Sequence, residues 1–594
     1  MTVVARYLIT TADERTWKFD RPVVFLGEWC RVFDRKHAWE SMDAIVADPY
    51  GLASEQKDTD DTEARFWEEK LLIVLRDTLN QFHGTEHDSR FWRIVLGHWL
   101  RRYVDVIFNR VRTLEQCLQR YRLNGTTAII TEYDTLATTD SEDAIWKFND
   151  DKWNNALYIR ILELFKVADL PIEYVSICEA SYTRKVTTSR NVSLSRKFMR
   201  RSYRLMGKLA EFLVRNKDAL IINSYLPKKE LIKFQLAIWQ VPQLWISTKF
   251  KATKHPDRKL RQKLKAQIAD ITNNKLGYIL YTLVLELIPS CYLENFKELK
   301  YSSQQLRWPQ TPRFIFTSNS FDTDEIFKLW TASKVESGYH YIAGQHGNNY
   351  GTHRYFGKLT SEETATDKFL TWGWSDGLPQ HTPSFILKLA RLDNAIYSKD
   401  GGLLLIELGE PLRITTWDCT YEFGNYFKDQ LDFVDGLNKS CRRYLTVRLP
   451  QANIYSRWSY ANRWREFDSE VDLDNGHSKL SELIERSRLI VHSYDSTGLL
   501  ETLSQNIPTL VFWQNNFDYL RDNAKYYYQG LLDAGIVHLT PQSAADKVNE
   551  IWDDVAGWWM QDSVQEARKC FCEQYARTSQ NPIKDLKNIF HEFT

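Results

Sequence analysis

Residues Pro312 to Gly351 read PRFIFTSNSFDTDEIFKLWTASKVESGYHYIAGQHGNNYG, and this stretch sets the fold class. A run of aromatic and β-branched residues from Arg313 ends at Asn319, and a polar turn with Asp322 and Asp324 can cap the helix that follows. Gly338 stops that helix before a second strand, Tyr339 to Gln345. Strand, helix and strand make one crossover unit of a helix-covered parallel sheet. The second strand runs directly into Gln345-His346-Gly347-Asn348-Asn349-Tyr350-Gly351. Ligands of open α/β sheets bind just beyond the carboxyl ends of strands. A histidine there can act as a general base near neutral pH, and the glycines let a substrate approach the backbone closely. The competing reading is a structural turn whose histidine satisfies loop carbonyls.

The same rhythm extends in both directions. One set of candidate strands contains Val3 to Ile9, Val23 to Trp29, Ala219 to Tyr225, Arg313 to Asn319, Tyr339 to Gln345 and Lys368 to Trp374. A second contains Leu403 to Leu408, Tyr444 to Leu449, Arg488 to Tyr494, Pro508 to Trp513 and Gly535 to Leu539. Between them Asp376 to Ser398 is polar at first and carries Pro379 and Pro383, so the boundary is expected there. This predicts an N-terminal α/β domain over 1–385, a second over 400–560, and a helical tail over 561–594 that packs back on the first. Arg90 to Arg122 has apolar residues at helical spacing and reads as a long amphipathic helix inserted between strands. Ser54 to Glu63 is polar and acidic and is expected to be a solvated loop or the start of a helix.

Composition narrows the function classes. A chain of 594 residues exceeds what one core serves, about 250–300 residues. With 78 Lys and Arg against 77 Asp and Glu, it is not a protein that coats nucleic acid by bulk charge. Eight cysteines without a CxxC pair point to reduced thiols and a cytosolic protein. The N-terminus has charges where a signal peptide needs apolar residues, and Leu276 to Ile288 falls short of the about 20 residues of a spanning helix. The mature chain is expected to begin at Met1, and Leu276 to Ile288 to be a buried helix. Two basic segments, Arg184 to Lys208 and Lys249 to Lys265, could meet a nucleotide, an anionic glycan acceptor or lipid headgroups, or simply be solvated helix faces. The 21 Trp, 30 Phe and 30 Tyr fit core packing and sugar stacking equally.

Arg488 to Trp513, RLIVHSYDSTGLLETLSQNIPTLVFW, reads as strand, Ser/Thr-rich turn, helix and strand. Ser493, Ser496 and Thr497 fall at the helix N-terminus, where free amides favour a phosphate. Glu501, on the same face as Thr497, can accept from ribose hydroxyls. Plain capping by Ser and Thr is the alternative. No GxGxxG or GxxxxGK[ST] is present. Glu28, after the strand in VVFLGEWCR, emerges at the same kind of strand end as His346, whereas Cys30 has no histidine partner for thiol chemistry. Arg448, ending the strand YLTVRLP, can pair a phosphate bidentately.

The strings YLITTADERTWKFDRPVVFLGEWC, FWRIVLGHWLRRYVDVIFNR, DKWNNAL, IFKLWTASKVESGYHYIAGQHGNNYG, FLTWGW and STGLLETLSQNIPTLVFW resemble a bacterial transferase family of surface-polysaccharide gene clusters. More distantly the chain is similar to capsule-type ulosonic acid (Kdo) transferases and to CDP-glycerol polyol-phosphate transferases. The resemblance implies a glycosyltransferase-B-like architecture, two Rossmann-like domains with a nucleotide site in the cleft between them. On the matching positions it implies that His346 serves the acceptor hydroxyl or the donor phosphate; Glu28, from its strand end, is the second catalytic candidate. Gln345 and Gly347 match the HG motif, and Ser493, Ser496, Thr497 and Glu501 match the pattern that holds the donor nucleotide; Arg448 and His492, from their strand ends, are added to the expected donor-binding residues, and no residue is assigned to a metal. Many relatives have two glycines after HG, where this chain has Asn348 and Asn349. The expected activity is metal-independent transfer of a sugar from a nucleotide donor, with a CMP-sugar such as CMP-Kdo favoured, onto a glycan or lipid-linked glycan acceptor. That chemistry needs no cofactor beyond the donor substrate, involves no nucleic acid, and takes place in the cytoplasm or peripherally at the inner face of the membrane. The alternatives are a polyol-phosphate transferase of the same architecture and a non-catalytic carbohydrate-binding scaffold.

Overall fold

The computed structural model describes residues 4–50, 54–167, 170–176, 213–245, 249–268, 274–356, 359–390, 397–413, 423–451, 457–513 and 516–593. Its strands form three parallel sheets. The first holds β1 (Arg6–Ile9), β2 (Val23–Phe25), β3 (Ala44–Val46), β4 (Leu123–Ile129) and β5 (Ile172–Val175), in the order β3-β2-β1-β4-β5. The second holds β6 (Leu220–Ile221), β7 (Phe314–Thr317), β8 (His340–Gly344), β9 (Lys368–Thr371) and β10 (His381–Pro383), each beside its sequence neighbour. The third holds β11 (Gly402–Ile406), β12 (Leu445–Arg448), β13 (Asp472–Asp474), β14 (Ser487–His492), β15 (Thr509–Phe512) and β16 (Val537–His538), ordered β13-β12-β11-β14-β15-β16.

The strands expected as one N-terminal set thus divide between two sheets. Alternation of strands and helices specifies a parallel sheet but not which strands share it. β3, β4, β5, β10 and β13 were not foreseen. β3, β5, β10 and β13 lie at sheet edges, where polar residues and proline are tolerated, as in the His-Thr-Pro of β10 and the Asp-Leu-Asp of β13. β4 carries Asn124 and Gly125, both poor strand formers. In the first sheet the order reverses between β1 and β4, in the third between β11 and β14. Such switch points open a crevice at the carboxyl ends of the strands.

Between β3 and β4 run two long helices, Ser54–His83 and Ser89–Arg120. The second is capped by Asp88, which accepts from Phe91 N, and it buries Trp92, Trp99 and Val106 as its spacing predicts. It packs on the first helix and also on Glu325–Glu336 and Ser361–Ala365, which flank the second sheet. Ser54 to Glu63 is not a solvated loop. It forms the opening turns of the first helix, with Asp60 buried against Arg112 and Lys57 buried over the Tyr355 ring. Helix Lys275–Leu287 is buried, as its apolar run predicts, and no described helix is long and apolar enough to cross a membrane.

Most tryptophans, including Trp92, Trp99 and Trp552, are buried, so the aromatic excess goes largely into the core. Near the C-terminus, helix Pro582–Phe590 lies against the second sheet, with Phe590 packed on Phe234, Phe314 and Phe316. Half of the eight basic residues of Lys249 to Lys265 are paired with acids elsewhere in the chain: Lys249 with Glu142, Lys254 with Glu298, Arg261 with Glu294 and Lys265 with Glu286. The other basic stretch, Arg184 to Lys208, lies outside the described residues.

Candidate functional site

β8 ends at Gly344, and the next residue anchors the loop beyond it. Gln345 is buried; its carbonyl accepts from Trp372 N at 2.9 Å and Trp374 Nε1 at 2.8 Å, and its amide donates to Gly347 O at 2.9 Å. Gln345 therefore shapes the loop and is not free for a ligand. Asn349 has φ +77° and Gly351 φ +72°, so asparagine supplies the first of two left-handed positions. A Cβ on Gly351 would lie 2.5 Å from the Trp374 ring, which requires glycine there.

His346 is held half-buried by residues from three other segments. The Phe321 ring meets it edge-on at 5.6 Å, and Tyr350 Oη lies 3.0 Å from its Nδ1. Tyr350 Oη also contacts Glu362, which faces His98 Nε2 at 3.5 Å. Arg102, one turn after His98 on helix Ser89–Arg120, pairs with Asp322 at 2.5 Å. Burial disfavours the charged imidazole and lowers the His346 pKa, against the opposing pull of Glu362 and Asp322. Burial likewise brings His98 down to about 4. For Asp322 burial is outweighed by Arg102 and His98, and the carboxyl stays well below the usual range. Of the two expected caps, only Asp324 serves, accepting from Phe327 N at 3.1 Å; Asp322 belongs to this cluster.

Sequence reasoning missed His98, Arg102, Tyr350 and Glu362. A weak signal did exist: His98 and Arg102 are an i,i+4 pair on one face of helix Ser89–Arg120. In Thr360-Ser361-Glu362-Glu363 the capping box uses Glu363, leaving the buried Glu362 without a capping role. Among the described residues, no group of His, Cys, Asp and Glu side chains is arranged to hold a metal ion.

Across from this loop is the turn after β14. Asn348 N donates to Thr497 Oγ1 at 3.0 Å and Asn348 Nδ2 to Asp495 Oδ1 at 2.7 Å, and a Cβ on Gly347 would lie 3.2 Å from Thr497 Oγ1. The histidine loop of the second sheet thus touches the N-terminus of helix Thr497–Ser504 in the third. Ser496 is that helix's N-cap, accepting from Leu499 N at 3.0 Å, while the Thr497 and Gly498 amides bond to no described residue. Burial raises Asp495 to about 6, against hydrogen bonds from Tyr528, Asn348 and Tyr519.

Several expected ligand residues are instead occupied by the fold. Ser493 Oγ is buried between Tyr426 Oη at 2.8 Å and Ile406 O at 3.0 Å. His492 is buried beneath Gly498 and pushed down to about 3 by burial. The Arg448 guanidinium is taken by Asp474, its register partner on β13. Glu501 pairs with the exposed Lys388 at 2.7 Å. Glu28 lies at the first sheet, beyond β2, paired with Arg31 at 2.5 Å, and no contact joins it to the His346 loop. Strand-end position is shared by many residues; orientation depends on neighbours the strand's own sequence does not name. Burial pushes the Cys30 thiol up to about 12, consistent with setting thiol chemistry aside.

Among the solved structures that match the chain, two serve as examples. A UDP-N-acetylglucosamine 2-epimerase structure from Listeria monocytogenes is 9% identical, covering 61% of this chain and 87% of that one at a TM-score of 0.32. The S. aureus MnaA–UDP structure is 11% identical, covering 52% of this chain and 86% of that one at a TM-score of 0.31. No curated protein matches the sequence. The description "LIC12162 family transferase" matches residues 6–590, nearly the whole length, and the chain belongs to that family.

Proposed function

We propose that this transferase moves a sugar from a nucleotide donor onto a glycan acceptor, in the manner of a glycosyltransferase-B-type enzyme. The observation that carries the reading is the contact between two strand-end loops of different sheets. One brings a largely neutral histidine, the other a helix N-terminus with two unengaged amides. An imidazole suits removal of the acceptor hydroxyl's proton, and a helix N-terminus suits the departing nucleotide phosphate. In the step, the acceptor oxygen bonds to the anomeric carbon, the bond from that carbon to the phosphate oxygen breaks, and the hydroxyl proton passes to His346. The electron pair leaves on the phosphate, stabilised by the Thr497 and Gly498 amides.

The cytidine nucleotide preference, with CMP-Kdo as the example, rests on the resemblance to capsule-type transferases. The acceptor is a surface glycan or its lipid-linked precursor, met at the inner face of the membrane. A ribose-accepting role for Glu501 requires its ion pair with Lys388 to open. A thermal-shift screen with CMP, CDP, UDP, GDP and their sugars tests the donor, because a bound ligand raises the melting temperature by linkage. We expect a shift with a cytidine nucleotide; no shift with any of them overturns the reading. His346→Ala should abolish transfer while donor binding survives, and full turnover by that variant removes the histidine from the mechanism.

A further inference from the structure

Hydrogen-bond direction around His346 can be worked out from its neighbours. Glu362 is buried with its Oε1 against the Tyr350 hydroxyl, which donates to it. An ionised carboxylate only accepts, so Tyr350 must donate its single O–H to Glu362. The Tyr350 oxygen can then only accept from the imidazole nitrogen 3.0 Å away, which must carry the hydrogen. The reverse direction would need a protonated Glu362 donating to Tyr350.

From this chain of contacts we propose that Tyr350 and Glu362 are positioning residues that hold neutral His346 as the tautomer with hydrogen on Nδ1 and the lone pair on Nε2. Nε2 has no partner among the described residues. It is therefore the ring atom left to take a proton. Once it has done so, the imidazolium faces Glu362 through Tyr350 and Asp322 beside Phe321, with Arg102 opposing. Glu362 also faces His98, so one carboxylate ties the loop after β8 to helix Ser89–Arg120. A tyrosine placed between acid and imidazole does here what a carboxylate bonded directly to histidine does elsewhere: it selects the tautomer and orients the ring.

The catalytic half of this inference rests on the glycosyltransferase reading; the tautomer half does not. The test uses the full chain labelled with [15N]histidine and a two-bond 1H–15N correlation spectrum, with His346→Asn to assign the signal. We expect wild-type His346 to show hydrogen on Nδ1 and a bare Nε2. Tyr350→Phe, which keeps the ring and removes only the hydroxyl, should shift it toward the Nε2–H form that free imidazole prefers. Glu362→Gln should act in the same direction, and where that buried change prevents folding, Tyr350→Phe alone decides. With donor and acceptor identified, both variants should lower kcat by about ten-fold or more at unchanged donor KM, up to the ~10²–10⁴ that a general base supplies. Hydrogen on Nε2 in the wild type, or a tautomer unmoved by Tyr350→Phe, overturns the proposal. The expected tautomer without turnover of any nucleotide sugar would uphold the assignment and refute the glycosyl-transfer reading instead.

Discussion

Glu407 follows β11 at the switch point of the third sheet, and its side chain offers a quantitative test. It is 4% exposed; Trp464 Nε1 donates to Oε1 at 2.8 Å, and Oε2 has no hydrogen-bond partner among the described residues. Burial pushes its carboxyl from an ordinary 4.5 to about 8, with the Trp464 bond opposing only in part. At pH 7 the folded chain therefore keeps Glu407 neutral, while the unfolded chain ionises it. Each pH unit between the unfolded value and the working pH costs about 1.4 kcal/mol, so the penalty at pH 7 is about 3 kcal/mol. A carboxyl with a raised folded value contributes most to stability below pH 4.5; that contribution falls as pH rises to about 8 and is flat beyond. Glu407→Gln has no proton to lose and keeps an oxygen for Trp464. The variant should match the wild type near pH 4.5 and exceed it by about 3 kcal/mol at pH 7. Native-state hydrogen exchange of peptides covering Gly402–Ile406, read between pH 5 and 7.5 and corrected for intrinsic rates, measures the difference. A gap between the two proteins that stays constant across this range would refute the reasoning.

His381 titrates with the same sign, its pKa also raised in the folded chain: burial works against its charge, but Glu363 at 3.2 Å and Asp376 at 2.6 Å raise it on balance. Its stabilisation is fully present below pH 6.5 and is lost as pH rises through the folded value, so melting temperatures from pH 6 to 9 should fall for the wild type and stay flatter for His381→Gln. Parallel curves would count against the ion pairs. Gly351→Ala and Gly338→Ala share a positive φ, +72° and +89°, but only the first drives a Cβ into a side chain. Denaturant titration should show about 1 kcal/mol lost by Gly338→Ala and clearly more by Gly351→Ala; equal losses would dismiss the Trp374 clash. Phe590→Ala should cost about 3–5 kcal/mol of local stability and expose the C-terminal helix to limited proteolysis, whereas a protease pattern like the wild type would deny its anchoring role.

The sequence by itself determined that the chain is α/β with parallel strands and that polar, glycine-bearing loops follow the strands ending at Gly344 and His492. It also determined that Arg90 to Arg122 is an amphipathic helix. These follow from local periodicity and from glycine, proline and capping chemistry within a few residues. Only the tertiary structure decided that the strands form three sheets, because edge strands such as His381–Pro383 lack the apolar alternation that marks a strand. Orientation at the site was equally out of reach. Ser493 and Arg448 occupy suitable strand ends, yet one bonds to Tyr426 and the other to Asp474. Arg102 reads as one more charged residue on a helix until it meets Asp322, 220 residues away. Local sequence dictates backbone shape; which polar side chains converge depends on long-range packing, where each burial is tolerated only because a distant partner satisfies it.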